Sequence, residues 1–206
     1  MTFNDLRTDI AHIKQACLSP EVAVKHLREI LKQFVACTNT SQIKASFESQ
    51  ELYRRQQLSA PQDDFHIVMA VWKPNSSSPI HDHDNTTGAV ITLVGETIET
   101  KYERVAVLGK NCLLKSTEIR VLDSKTVSPI LPGGGLQLHA MHNPRNTWAA
   151  TLHVYLHPLK TFNLYHSQAF GLHTQTSTDL WFDEIMAPFT TQAKDVPQRE
   201  QSLCLN

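Results

Sequence analysis

The stretch SPIHDHDNTTGAVITLVGETIE, residues 78–99, places His81 and His83 at alternate positions ahead of a run of apolar and β-branched residues. Successive side chains of a strand point to opposite faces, so these two imidazoles share one face. If that face is the inside of a barrel, both rings point into its lumen. Two histidines at this spacing can bind a divalent metal but do not complete a site, so the pattern calls for a third ligand.

His139 is the best candidate for the third ligand. It stands in another predicted strand, LQLHAMHN (residues 136–143), after the glycine turn at residues 133–135, and a barrel brings distant strands alongside one another. His142 lies three positions further on and therefore on the opposite face, where we expect a surface or hydrogen-bonded histidine. For the remaining histidines, the expectation is a solvated or internally hydrogen-bonded ring: His12, His26, His66, His157, His166 and His173.

From Phe65 onward, short β-branched and aromatic runs are separated by Pro, Gly, Asn and Ser. We predict strands at residues 65–72, 88–94, 97–105, 118–122, 135–142 and 149–156. Gly95-Glu96 predicts a tight hairpin between the second and third of these strands. The third strand alternates, with Ile98, Thr100 and Tyr102 on one face and Thr97, Glu99 and Lys101 on the other. Many short antiparallel strands predict a mainly β jelly-roll or small barrel.

The first forty residues predict two helices that precede this β region. Leu6, Ile10 and Ile13 recur at helical spacing, and Ser19-Pro20 is a helix start signal that is followed by a second apolar stripe, Val24, Leu27, Leu31 and Phe34. We expect the pair to pack on the β domain, with a helical hairpin used for dimerisation as the alternative. The polar tail, about residues 186–206, is expected to lie loosely on the surface.

Length and charge limit the class of protein. With 206 residues we expect one domain, made of a helical part (1–45), a β-barrel (about 50–170) and the tail. The 19 Lys and Arg residues balance 20 Asp and Glu residues without a basic stripe, which argues against nucleic acid and anionic membrane surfaces as partners. The expected partner is a small molecule, and the expected state is a monomer or weak homo-oligomer.

Two further features bear on the compartment. The start MTFNDLRTDI lacks the pattern of a secretory signal, and no apolar stretch approaches membrane-spanning length, so we expect a soluble cytoplasmic protein. Cys17, Cys37, Cys112 and Cys204 lie far apart and form no CxxC pair. We interpret them as ordinary thiols rather than a zinc site or a disulfide framework.

An HxH pair, a glycine turn and a lone late histidine together resemble the two metal motifs of the cupin superfamily. Most cupins carry a glutamate a few residues after the second histidine, and here Gly88 holds that place. The resemblance therefore implies a three-histidine site without a carboxylate ligand. In such a site the neutral ligands leave the metal its full positive charge, which favours binding of an anionic thiolate. A three-histidine site of this kind resembles that of the thiol dioxygenases.

Two longer segments extend the resemblance. LYRRQQLSAPQDDFHIVMAVWKPNSSSPIHDHDNTTGAVITLVGETIETKY (residues 52–102) resembles the family segment that has a Tyr-x-Arg, a Phe-led strand ending in Trp, the HDH motif and a Leu-x-Gly turn. LHAMHNPRNTWAATLHVY (residues 138–155) resembles the segment that runs from the third histidine to a Ser-x-His-x-Tyr triplet. The chain is identified as similar to the cysteine dioxygenase family, with the cupin double-stranded β-helix as its implied fold.

The resemblance implies a role for each matching residue. His81, His83 and His139 would hold Fe(II). Arg55, with Tyr53 near it, would bind a substrate carboxylate through a planar guanidinium. Thr151, His153 and Tyr155 would form the catalytic relay, with threonine in place of serine. The alternatives are a solvated arginine in the run at residues 53–56 and a strand whose polar groups merely satisfy one another.

The implied activity is an iron-dependent thiol dioxygenase that converts L-cysteine and O2 to cysteine sulfinate. Gly88 replaces the cysteine that is crosslinked in animal enzymes, so Tyr155 is expected to stay unmodified, as in bacterial members. Leu156-His157-Pro158 replaces Ser-Pro-Pro. Enzymes for 3-mercaptopropionate typically carry a glutamine at the position of Arg55, and here two glutamines follow that arginine directly. The alternatives are therefore a dioxygenase for 3-mercaptopropionate or another thiol acid, and a non-catalytic cupin that senses a metal or small ligand.

Overall fold

The structure is a computed structural model that describes residues 1–40, 43, 53–133, 138–180, 182 and 184–185. Two α-helices come first: α1 (Phe3–Gln15), with Thr2 and Asp5 forming a capping box, and α2 (Pro20–Cys37), with Pro20 in its first turn. The described strands are β1 (Tyr53–Gln57), β2 (His66–Trp72), β3 (Ile80–His81), β4 (Gly88–Val94), β5 (Thr97–Leu108), β6 (Asn111–Leu122), β7 (Val127–Ile130), β8 (Leu138–His142), β9 (Ala149–Tyr155), β10 (Thr161–Ser167), β11 (Leu172–Asp179) and β12 (Glu184–Ile185).

The strands form two sheets of six. One sheet has the order β12-β1-β2-β9-β4-β7, and the other closes on itself in the order β10-β11-β6-β5-β8-β3. Within these sheets the described pairings are antiparallel, except that β1 and β12 run parallel. The prediction of a mainly β fold with N-terminal helices is confirmed, and each of the six predicted strand segments overlaps an observed strand.

Strands β2, β4 and β9 are buried on both faces. Their outer face, which includes Ile67, Ile91 and Leu152, packs in one apolar core with Leu27 and other residues of the two helices. Their inner face belongs to a second core, which includes Val68, Trp72 and Tyr155. Because the helices cover the outer face, the inner face can carry polar side chains without depriving the domain of its apolar core.

The predicted hairpin at Gly95-Glu96 is wrong. Strand β4 pairs with β7 and β9, whereas β5 pairs with β6 and β8, so the chain passes from one sheet to the other at this point. Gly95 makes that corner with φ 75°, and a Cβ there would lie 3.1 Å from the carbonyl oxygen of Trp148. The tight hairpin is the next one, where Leu108 pairs with Asn111 across two residues that begin with Gly109.

Some observed strands have no counterpart among the predicted segments. Strand β3 has only two residues, and β10 and β11 are rich in polar residues and lack a clear apolar alternation. Neither a two-residue strand nor a polar one gives the periodic signal on which sequence reasoning depends.

Several expectations fall on or near undescribed residues. Gly134 and Gly135 of the glycine turn and the tail from residue 186 lie outside the described parts of the chain, whereas Gly133 is described. Of the cysteines, Cys17, Cys37 and Cys112 are free thiols. Among the described helices, none is long and apolar enough to cross a membrane.

The shared core generates a stability prediction. Leu27 of α2 is fully buried, so Leu27→Ala should lower the free energy of unfolding by about 2–5 kcal/mol. Val22, on the same helix, is 38% exposed, and Val22→Ala should change the free energy of unfolding by no more than about 0.5 kcal/mol. Urea unfolding followed by fluorescence measures both. Equal effects of the two substitutions would contradict the packing of α2 on the sheet.

Candidate metal centre and adjoining cavity

The three predicted histidine ligands lie together. His81 and His139 are directly opposite one another in the β3–β8 pairing, which places both side chains on the same face. The ring centroids are 5.0 Å apart for His81 and His83, and 4.6 Å apart for each of the two pairs that include His139. One ring nitrogen from each lies within 4.8 Å of the others, and the group is able to hold a metal ion.

The HxH pair does not sit inside a strand as expected. Strand β3 ends at His81, and His83 begins a turn that is closed by a 3.0 Å hydrogen bond from the Thr86 amide to the His83 carbonyl. Asp84 and Asn85, the central residues, have φ of 48° and 57°, a left-handed conformation that Asp and Asn tolerate better than most residues. His83 therefore reaches the site from a turn, not by strand alternation.

Asp82, between the two ligands, anchors this turn to β10. Its carboxylate accepts hydrogen bonds from the Asn163 amide (2.9 Å), the Asn163 side chain (2.8 Å) and the Tyr165 hydroxyl (2.9 Å). The Asp82 amide in turn donates to the Asn163 carbonyl. The middle residue of the motif thus fixes the backbone that carries both histidines, which an HxH pattern alone does not reveal.

The hydrogen bonds of two ligands fix their tautomers. His81 Nδ1 lies 3.0 Å from the Pro79 carbonyl oxygen, and His139 Nδ1 lies 2.7 Å from Glu99 Oε1. Carbonyl and carboxylate oxygens only accept, so each Nδ1 carries a hydrogen and each Nε2 presents a lone pair. The two Nε2 atoms face each other at 3.2 Å. Two facing lone pairs repel unless a cation lies between them, and ligands at about 2.1 Å from one ion fit this separation.

Burial keeps these rings neutral. It lowers the pKa of His81, and it lowers the pKa of His139 well below the ordinary histidine value, with the neighbouring His81 acting in the same direction on His139. Neutral imidazole is the form that ligates metals, so the rings do not have to lose a proton at neutral pH before binding.

A buried charged cluster lies behind His139. Glu99 and Lys101 are almost completely buried, which shows that the polar face of β5 is the one that points inward. Ser128 donates to Glu99 Oε2, while Lys101 Nζ donates to the Pro129 carbonyl at 2.7 Å and lies 4.0 Å from Glu99 Oε1. Burial lowers the pKa of Lys101, and Glu99 opposes that shift. The alternation in β5 was visible in the sequence, but not which face is buried.

A cavity of about 220 Å³ adjoins His81. Its polar wall includes Arg55, His153 and Tyr155, whereas most of the remaining lining is apolar: Val68, Trp72, Met141, Leu159, Phe162, Leu164 and Leu180. The Arg55 guanidinium carbon lies 5.7 Å from the centroid of the Phe162 ring. A guanidinium is able to hold a carboxylate through two parallel hydrogen bonds.

The neighbours of Arg55 take different positions. Gln56 and Gln57 are buried but do not line the cavity, so among the described side chains of β1 Arg55 is the one that reaches it. The side chains of Arg54 and Tyr53 are outside the described residues, and the substrate-binding prediction for Tyr53 stays a prediction. Nor does the segment at residues 156–158 line the cavity; Leu159 does.

Thr151, His153 and Tyr155 form a hydrogen-bond chain with Trp72. The Trp72 indole donates to Thr151 Oγ1 at 2.9 Å, and Thr151 Oγ1 lies 2.8 Å from His153 Nε2. Because the indole can only donate, Thr151 Oγ1 accepts from Trp72, and its own hydrogen can be directed at His153 Nε2. In that tautomer His153 Nδ1, which lies 3.2 Å from the Tyr155 hydroxyl oxygen, is the donor to Tyr155. Burial lowers the pKa of His153 to about 3, so the chain orients Tyr155 through a neutral ring.

Gly88 has a steric reason to be glycine. It pairs with Tyr155, and a Cβ at this position would lie 2.2 Å from the Val154 carbonyl oxygen. Neither the glutamate of most cupins nor a crosslinking cysteine fits here without moving β9. In this chain the three-histidine group therefore has no carboxylate from that position.

Comparison with solved structures gives distant likenesses. An oxalate oxidase in complex with the substrate analogue glycolate is 15% identical over 60% of each chain, with a TM-score of 0.41. The cupin domain of Schizosaccharomyces pombe Cnp3 is 10% identical over 56% of this chain and 72% of that one, with a TM-score of 0.41. TT1209 from Thermus thermophilus is 14% identical over 57% of this chain and 94% of that one, with a TM-score of 0.40. The chain spans about 60% of the oxalate oxidase chain that it matches.

The comparison with protein families is specific. Residues 2–168 match the family model described as Cysteine dioxygenase type I, a span that includes both helices, the three histidines, Arg55 and the chain from Thr151 to Tyr155. The match confirms the resemblance noted from the sequence motifs and the cupin fold that it implied. This chain belongs to the cysteine dioxygenase type I family.

Proposed function

We propose that this protein is an iron-dependent thiol dioxygenase that converts L-cysteine and O2 to cysteine sulfinic acid. The reaction R–SH + O2 → R–SO2H balances without a further reductant, because both oxygen atoms end on the sulfur. Membership of a dioxygenase family and the three-histidine group support the proposal. Iron held by His81, His83 and His139 would supply the redox chemistry and the open positions that a thiol and O2 need.

The observation that carries the proposal is the cation beside the histidine group. Arg55, Tyr155 and His81 border the same cavity. A guanidinium holds a carboxylate with two parallel hydrogen bonds, which fixes orientation as well as charge, and the apolar surroundings strengthen that pair. A substrate with a carboxylate at one end would thereby have its thiol directed towards the histidine group.

The cavity also limits the size of the substrate. Its volume of about 220 Å³ is below the range of about 300–1,000 Å³ that is typical of pockets for drug-sized ligands. Tyr155, oriented by His153, would act as a hydrogen-bond donor at the same wall. Together these features support a small thiol acid over a peptide or a cofactor-sized thiol.

A second candidate substrate is 3-mercaptopropionate or another thiol acid without an amine. No acidic side chain occurs among the cavity-lining residues in the described part of the chain. The described part of the wall therefore offers an ammonium group no opposite charge, and a preference for cysteine would depend on its amine binding the metal.

The first test is oxygen uptake by anaerobically iron-loaded protein given L-cysteine, 3-mercaptopropionate, cysteamine and mercaptosuccinate in parallel. We expect uptake with cysteine and a product heavier by two oxygen atoms, identified by mass spectrometry. Faster uptake with an amine-free thiol acid would move the assignment to the second candidate. Iron binding without uptake for any thiol would contradict the enzymatic proposal and favour a sensor.

The second test removes the cation. Arg55→Ala should raise the apparent KM for carboxylate-bearing thiols by about 30- to 700-fold, the equivalent of a lost buried charge-assisted pair of about 2–4 kcal/mol. Cysteamine has no carboxylate, so its kinetics should change little. Arg145→Ala is the control, because the Arg145 side chain is 60% exposed and pairs with Glu96 at the surface. An unchanged KM for cysteine in Arg55→Ala would mean that another group binds the carboxylate.

The third test concerns the ligands. His139→Ala should lose most of its bound iron. Loss of a hydrogen-bond partner of a ligand lowers metal affinity about 10–100-fold, and loss of the ligand itself should lower it further. His142→Ala is a matched control on the same strand, because the His142 ring bonds to the Ser77 hydroxyl at 2.8 Å, outside the histidine group. Metal analysis after gel filtration measures the stoichiometry. Equal iron in His139→Ala and wild type would overturn the ligand assignment.

A further inference from the structure

The histidines of the metal group are held by chemically different partners. Nδ1 of His81 donates to a neutral backbone carbonyl, that of Pro79. Nδ1 of His139 donates to the carboxylate of Glu99, at the shorter distance of 2.7 Å. A carboxylate attracts the Nδ1 proton more strongly than a carbonyl does, and so leaves more electron density on the opposite ring nitrogen.

Three contacts fix the Glu99 carboxylate in place. Oε1 receives the His139 hydrogen bond and lies 4.0 Å from Lys101 Nζ, and Oε2 receives the Ser128 hydroxyl. Lys101 is itself held by its 2.7 Å hydrogen bond to the Pro129 carbonyl. Strand β5 thus supplies both charged side chains, and strand β7 supplies the Ser128 hydroxyl and the Pro129 carbonyl that hydrogen-bond to them. The carboxylate is therefore held by groups other than the histidine that it contacts.

Stability alone does not account for this cluster. Glu99 is 0% exposed and Lys101 is 2% exposed, so both charges have lost their contact with water. A buried ion pair adds little compared with apolar side chains of similar size, because desolvation offsets the attraction. The cluster therefore has to be explained by what it does to the group that it contacts, which is His139.

We propose that Glu99 is a positioning residue for the metal centre, acting through His139, with Lys101 and Ser128 holding its carboxylate. Glu99 fixes the tautomer that points Nε2 of His139 at the ion, and it makes this ring the most electron-rich of the ligands whose partners are described. The inference rests on the proposed metal centre and assigns it a charge that the three neutral ligands lack. A negative charge one hydrogen bond from the ligand ring strengthens metal binding and favours the higher oxidation state.

The test compares Glu99→Gln with wild type and with Glu103→Gln. Glu103 is on the same strand, 45% exposed and 3.8 Å from Lys115, so its substitution also removes a paired charge from β5 but leaves His139 untouched. Affinity is measured for Zn(II) by chelator competition, and the midpoint potential of bound iron is measured by anaerobic titration. We expect Glu99→Gln to bind Zn(II) about 10–100-fold more weakly and to shift the iron potential upward, and Glu103→Gln to match wild type.

A second variant separates this role from a structural one. Glu99→Gln leaves Lys101 buried without its oppositely charged partner. A double variant, Glu99→Gln with Lys101→Met, therefore removes both charges and is compared with Lys101→Met alone. The inference is supported if the double variant, compared with Lys101→Met, shows the same loss of Zn(II) affinity and the same upward shift of the iron potential. Wild-type affinity and potential in the Glu99 variants would overturn it. Absence of metal binding by wild type would instead overturn the proposed metal centre, and the inference with it.

Discussion

Two histidine lone pairs that face each other at 3.2 Å are the constraint on which the site depends. Neither ring can relieve the repulsion by changing its tautomer, because Pro79 and Glu99 both require a hydrogen on Nδ1. Burial also makes protonation of either ring unfavourable. A cation between the two rings would remove the repulsion. The surrounding hydrogen bonds hold both Nε2 lone pairs in the orientation that binds such a cation.

The fold permits so polar an interior because a large apolar core lies elsewhere. Strands β2, β4 and β9 bury their outer faces against α1 and α2, and this contact supplies that core. Their inner faces can then carry Thr151, His153 and Tyr155, provided that these groups satisfy one another, as they do from Trp72 onward. The N-terminal helices thus contribute to the site indirectly, because the apolar core that they form with the outer faces allows the inner faces to carry polar side chains.

Sequence reasoning found those parts of the site that depend on short spacing. The polar alternation in β9 was recognisable because a period of two and a family motif coincide. The HxH pair was recognisable by its spacing and the motif, although His83 reaches the site from a turn, and Arg55 was found by the motif alone. The prediction of a hairpin at Gly95 was wrong because a glycine between two β-branched runs occurs both at a corner between two sheets and at a turn within one sheet. Alternation in β5 could not show that Glu99 and Lys101 are buried, since charged residues are rarely fully buried. Their burial depends on polar groups that arrive from β7, so tertiary partners and not local propensity decide which face points inward.

The two sides of the metal group are built from different residues. The cavity that contains Arg55 and Tyr155 touches His81 but neither His139 nor Glu99. Substrate contacts would therefore come from β1 and β9, while the charge that acts on the third ligand comes from β5 and is supported from β7. Because the two sets share no side chain among the described residues, a substitution in the wall at Arg55 would leave the carboxylate behind His139 in place. Under the proposed function, this division would let one metal chemistry serve several small thiols, with the choice among them made on the cavity side.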